Sequence, residues 1–194
     1  DVKEKIVTAR IGLLLRHPWF GNIATRLIVT ESDSWCPTAA TNGQSLFYNS
    51  QFINSLSLKE IEFVIAHEIL HCAFSHIIRR EKRDPMLYNI ACDYLVNNVL
   101  VREKIGQVPS DINIYQSFDY DGWTSEEIYD HLFKNAKKIS PEELGELLDE
   151  HIDWTQSNGS DGDSNSERPV YSESELEKIN EDFKENVVSN QGEN

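Results

Sequence analysis

The run His67-Glu68-Ile69-Leu70-His71 is an HExxH pattern, and it is the part of this sequence best equipped to do chemistry. Residues four apart lie on one face of a helix, so both imidazoles can reach a single Zn²⁺ ion. Glu68 projects about 100° further round the axis. From there a carboxylate can act as general base, taking a proton from a water whose pKa the metal lowers toward ~7 and later returning it. The pattern is flanked by apolar residues, Phe63 to Ala66 before and Cys72 to Phe74 after. Burying two imidazoles and a carboxylate there without a metal would be costly. The chemistry implied is zinc-assisted hydrolysis of a peptide bond.

A catalytic zinc site usually takes three protein ligands and leaves one position open. His76 follows His71 by five residues, about 140° round a continuous helix, and so faces away. No glycine separates the two to break the helix, and the longer HxxGxxH spacing would need a histidine where Ile77 stands. Asp93 is the better candidate. Asn89, Asp93 and Asn97 form a polar stripe on an otherwise apolar helix, and such a stripe needs partners. Asp93 is read as the third ligand, the alternative being that it orients a ligating histidine. Asn89 and Asn97 are read as residues that hold the ligands in place or pack the helix. An oxyanion would also need a hydrogen-bond donor. Tyr94, His131 and His151 can each serve, and the choice among them stays open.

These residues need a scaffold. Val2 to Arg16 has helical apolar spacing and ends at His17-Pro18, since proline disfavours helix in the residue before it. Arg26 to Glu31 reads as a strand. Asn42-Gly43 between two short β-prone runs predicts a hairpin over 36–49. Its Thr38–Thr41 strand is either an edge that docks a peptide by β-augmentation or an ordinary exposed edge. Ser57 and Glu60 form a capping box, opening a buried helix from Leu58 to about Arg80. Asp84-Pro85 opens the next, to about Val101. Residues 105–123 read as loop, and Thr124 to Glu127 caps a helix to about Asn135. Ser140-Pro141 starts another to about Ile152, and Ser172 to Val187 a last, charged one. The order of elements predicts an α+β fold. The organisation expected is a domain over 1–155, a disordered acidic linker over 156–171 and an acidic helix or tail over 172–194.

Composition narrows the function classes. The formal charge is −15; residues 140–194 hold sixteen acids and three bases, a net of −13, which leaves −2 for the rest. Such a chain repels phosphate backbones, so nucleic acid is an unexpected partner, and the acidic end reads as a solvated surface. No apolar run reaches the ~20 residues of a membrane helix. No signal-peptide order is visible at Asp1-Val2-Lys3-Glu4-Lys5, although the absence of an initiator Met fits a fragment or processed product. Cys36, Cys72 and Cys92 form no CxxC pair; Cys72 and Cys92 lie within apolar helical patterns and read as small core residues, which suits a reducing, cytoplasmic setting. Asp161-x-Asp163-x-Asn165 opens like a calcium loop, but Ser166 and Ser172 stand where glycine and glutamate are required.

The runs TAATNGQSLFYNSQFI, FVIAHEILHCAFSHIIRREKRDPMLYNIACDYLVNN and DGWTSEEIYDHL resemble the putative metallopeptidase domain family of bacteria and their phages, over roughly residues 10–135. The resemblance implies a zincin-like fold and one zinc ion at His67 and His71, with Asp93 matching the aspartate of the family's AxDYxxN stretch. It also implies a neighbouring von Willebrand factor A-like domain or an AAA ATPase as partner, alongside a protein or peptide substrate. The residues after 150 are too few for a complete von Willebrand A-like domain, so either a truncated chain or a short version is expected. Three readings follow: a zinc endopeptidase, a silent metal-binding module that recognises a protein, and a latent enzyme with its acidic C-terminal segment folded over the cleft. Retention of Glu68 favours catalysis, because binding alone needs only ligands.

Overall fold

The computed structural model describes residues 1–136, 145–147, 149, 152–155 and 168–191. It is a mixed α+β structure, mostly helical, with one small sheet. Helices α1 (Val2–Arg16) and α2 (Pro18–Arg26) precede strand β1 (Ile28–Glu31). Strands β2 (Ala39–Thr41) and β3 (Ser45–Tyr48) and the short helix α3 (Ser50–Asn54) follow. Then come α4 (Leu58–Ala73), α5 (His76–Arg79), α6 (Pro85–Arg102), a 3₁₀ turn (Phe118–Tyr120), α7 (Ser125–Asn135) and α8 (Glu173–Gln191). No helix among the described residues is long and apolar enough to cross a membrane.

Helix α4 is the axis of the molecule. Its capping box is complete: Ser57 Oγ accepts from the Glu60 amide while Glu60 Oε1 accepts from the Ser57 amide. Every residue from Glu60 to Cys72 is buried, because α1, α2, α6 and α8 all pack against it. A helix apolar on all sides has to be wrapped in this way. Asp84 caps α6 through the Leu87 amide, with Pro85 at its first position.

The sheet has the order β1-β3-β2, with β3 antiparallel to β2 and parallel to β1. At the hairpin Asn42 Oδ1 accepts from the Gln44 and Ser45 amides, and Gly43 adopts φ +95°, which glycine tolerates without strain. Strand β2 is outermost yet buried: Ala40 packs with Phe47, Cys36 and Trp154 in a small separate core. The exposed edge considered for Thr38–Thr41 is thus not observed.

Three expectations need correction. Helix α4 does not continue to Arg80. It ends at Ala73, and Ser75 takes a left-handed conformation (φ 56°, ψ 37°) that turns the chain into α5. Helix α2 was not anticipated; its Pro18 occupies a first-turn position. The helix expected from Ser140 to Ile152 is absent from its described part. Glu146 instead forms a lone parallel bridge with Ile114, and its amide donates to Asn113 O at 2.7 Å. Gly145 allows this approach, since a Cβ there would meet Asn113 O. Residues 156–167 of the expected linker lie outside the described residues. Helix α8 joins the main core, where its Phe183 is buried.

Candidate metal centre

The site is assembled from α4, α6 and the segment carrying Asp149. One turn of α4 places His67 Nε2 and His71 Nε2 2.9 Å apart. Asp93, wholly buried on α6, brings Oδ1 to 3.1 Å from His71 Nε2 and 3.5 Å from His67 Nε2. Asp149 brings Oδ1 to 3.2 Å from His67 Nε2 and Oδ2 to 3.9 Å from His71 Nε2. One donor atom from each of these four buried side chains lies within 4.8 Å of every other. In a tetrahedral zinc site with bonds of ~2.0–2.1 Å, neighbouring ligand atoms are about 3.3–3.4 Å apart. The observed separations bracket that value.

The surrounding hydrogen bonds decide which lone pairs point inward. Asn97 Nδ2 donates to Tyr115 O at 2.9 Å, so its Oδ1 is the acceptor for His67 Nδ1–H at 2.8 Å. In the neutral ring, His67 Nε2 therefore carries a lone pair aimed at the centre. His71 Nδ1 lies 2.9 Å from His76 Nδ1. The break at Ser75 makes this possible, bringing back a residue that a continuous helix would have turned away. His76 thus holds the ring of His71 and does not join the four converging groups.

The electrostatics favour a cation. Burial pulls the His67 pKa down, but the carboxylates of Asp149 and Asp93 overcome it and push the ring up to about 10. Glu68 follows His67 on α4 and is almost fully buried. Its carboxyl pKa is raised well above the ordinary value, first by burial and then by the charge of Asp149 beside it. Glu68 Oε1 has no hydrogen-bond partner among the described residues. The adjoining cavity, of about 360 Å³, is lined by Thr41, Glu68, His71, Asn89, Asp149 and Trp154, among others. Cys72 is not a ligand: its Sγ points to Thr41 Oγ1, and burial pushes the thiol up to about 12. Two imidazole nitrogens and two carboxylates around one point form a donor set for a divalent metal ion.

A sequence profile described as putative metallopeptidase domain matches residues 2–190. The chain belongs to the putative metallopeptidase domain family. Neither a curated protein nor a solved structure matches it.

The structure brings together His67, Glu68, His71, Asp93 and Asn97. Asn89 lines the cavity and makes no hydrogen bond to the four groups among the described residues. Tyr94 packs against the rings of Tyr115 and Tyr120. His131 pairs with the Tyr120 hydroxyl at 2.9 Å, in a cluster built between α6 and α7. His151 lies outside the described residues. Asp149 is the residue that sequence reasoning missed. It is one of sixteen acids in the last 55 residues, and no spacing relates it to HExxH.

Proposed function

We propose that this chain is a zinc-dependent metallopeptidase with a zincin-like fold, cleaving peptide bonds with Glu68 as general base. The observation that carries this reading is the convergence of His67 Nε2, His71 Nε2 and Asp93 Oδ1 within 3.5 Å of one another, with Glu68 adjacent on the same helix. Zinc held by these residues would supply Lewis acidity for a peptide carbonyl and lower the pKa of water. Asn97 keeps His67 in the tautomer a ligand needs, and His76 steadies His71. Glu68, on the cavity wall, accepts the proton of the attacking water and delivers it to the leaving amine. The burial that raises its pKa suits it to hold that proton between the two transfers.

Glu68→Gln tests the assignment. The variant should retain one zinc per chain and lose cleavage of an unfolded protein substrate by at least about 10²-fold, the scale of general-base catalysis. His67→Ala should lose the metal as well. Cleavage that survives Glu68→Gln undiminished removes Glu68 as the base.

A second reading, a metal-binding module without catalysis, draws on Asp149. Four protein ligands make a closed set, the arrangement typical of structural zinc sites. On that reading neither Glu68→Gln nor any change at Asp149 reveals an activity.

A further inference from the structure

The four converging side chains are not held alike. His67 and His71 sit on the most buried helix of the molecule, and Asp93 on the helix packed beside it. Asp149 comes from a stretch whose described residues have no helix and a single isolated bridge, Ile114 to Glu146. Its carboxylate is nevertheless within 3.2 Å of His67 Nε2 and lies against the carboxyl of Glu68. On the metallopeptidase reading, the water to be activated would take this position, between the ligands and the base. We propose that Asp149 is an exchangeable fourth ligand, a built-in stopper that occupies the water position and must withdraw before substrate is cleaved.

The neighbouring contacts fit a stopper with its own anchor. Five residues on, Trp154 is fully buried against Phe47 and Trp35, with ring centroids 5.3 and 6.0 Å away. It covers Ala40 of β2, the outer strand beside the cavity. The segment is clamped in turn by the residues leading into α8: the Tyr171 amide donates to Trp154 O at 2.8 Å, and Arg168 donates to Asp153 O at 3.3 Å. Leu176, on α8, lines the same cavity. One strap therefore fills the position beside Glu68 and buries the strand along which an extended peptide would dock. A catalytic zinc site keeps one position open. Here the three ligands on α4 and α6 suffice to hold the ion, and the fourth is the one whose removal leaves those helices in place.

The proposal rests on the metallopeptidase reading, and the experiment separates the two. Full-length wild type, Asp149→Ala, Asp149→Asn and His67→Ala are loaded with Co²⁺ and titrated with acetohydroxamate while the visible d–d bands are followed. Cleavage of an unfolded protein substrate is measured with zinc. Wild type should hold one Co²⁺ with bands that change only at acetohydroxamate concentrations at least tenfold above those that saturate the Asp149 variants. Both Asp149 variants should keep the ion, show spectra that saturate with the probe, and cleave at least tenfold faster than wild type. The neutral Asp149→Asn keeps the shape of the side chain, so it guards against loss of folding in Asp149→Ala. Loss of Co²⁺ from both Asp149 variants, as from His67→Ala, would make Asp149 a permanent structural ligand and overturn the stopper while leaving the metal centre intact. A wild-type spectrum that responds to acetohydroxamate at the same concentrations as the Asp149 variants overturns it too. Variants that open to the probe but cleave no faster than wild type separate the site from proteolysis and overturn the stopper's catalytic role. A wild type that binds no ion refutes the metal reading, and the proposal with it.

Discussion

At the scale of single residues, the proposed centre draws on side chains that fix the rings as well as on those that would face an ion. Asn97 bridges His67 Nδ1 and Tyr115 O, and so both selects a tautomer and ties the loop after α6 to the site. Outer partners of this kind are commonly worth 10–100-fold in metal affinity. Asn97→Ala should therefore weaken zinc binding by about 10–100-fold in a chelator competition. A change below about threefold would show that His67 needs no such support. His76→Ala should act in the same direction through His71, with no change in the number of ions bound. Ser75 offers a converse case. Its left-handed backbone costs a non-glycine residue of the order of 1 kcal/mol. Ser75→Gly should thus raise Tm by roughly 2–4 °C in calorimetry at unchanged metal stoichiometry. An unchanged or lower Tm would mean that the weak Ser75–Asn180 contact at 3.5 Å outweighs the strain.

Helices α1, α2 and α4 set the position of the site through close packing. Gly21 lies where a Cβ would overlap the backbone of Leu14, so α2 crosses α1 at a distance no larger residue permits. Gly21→Ala should destabilise by about 1–3 kcal/mol, the usual cost of overpacking, and possession of a well-formed metal site should suffer because α2 also rests on α4. Thermal unfolding of the apo protein measures the first effect; a variant as stable as wild type would contradict the packing assignment. Another tie joins α1 to α4: Glu62 is buried and is met by Arg16, with Lys59 Nζ at 3.6 Å. Arg16→Ala leaves a buried carboxylate short of its main partner. A loss of about 1–2 kcal/mol is expected, below the full value for a buried pair because Arg16 is itself 45% exposed.

For the molecule as a whole, the proposed metal centre predicts that metal binding and folding are coupled. Two buried carboxylates converge beside two imidazoles, and without a metal ion their charge is offset by a proton held on His67, which a bound cation would replace. An ion that binds only the folded chain stabilises it by about 4 kcal/mol at a thousandfold excess over Kd. Removal of zinc by a chelator should lower Tm by about 10 °C, with recovery on re-addition. Indifference of Tm to chelator would show that these side chains satisfy one another unaided.

Much of this was legible from local rules. The capping boxes at Ser57 and Thr124 close as their sequences predict, and the Asn42-Gly43 hairpin forms. Each depends on residues within a few positions of one another, where chain geometry alone decides the outcome. The same holds for His67, Glu68 and His71, whose mutual placement is a property of one helical turn. Asp93 and Asn97 were legible because polar residues on an apolar helix call for partners.

Tertiary structure decided the rest. Nothing local marks Ser75 as the residue that bends α4 and swings His76 onto His71, since serine pays for that conformation only with packing around it. Nor does any local signal separate Asp149 from the acids around it, or show that Gly145 lays its segment against Asn113 instead of continuing a helix. A metal centre draws its outer ligands from wherever the folded chain passes. Helical spacing within the sequence therefore determined the HExxH pair, and long-range packing brought the Asp149 carboxylate beside it.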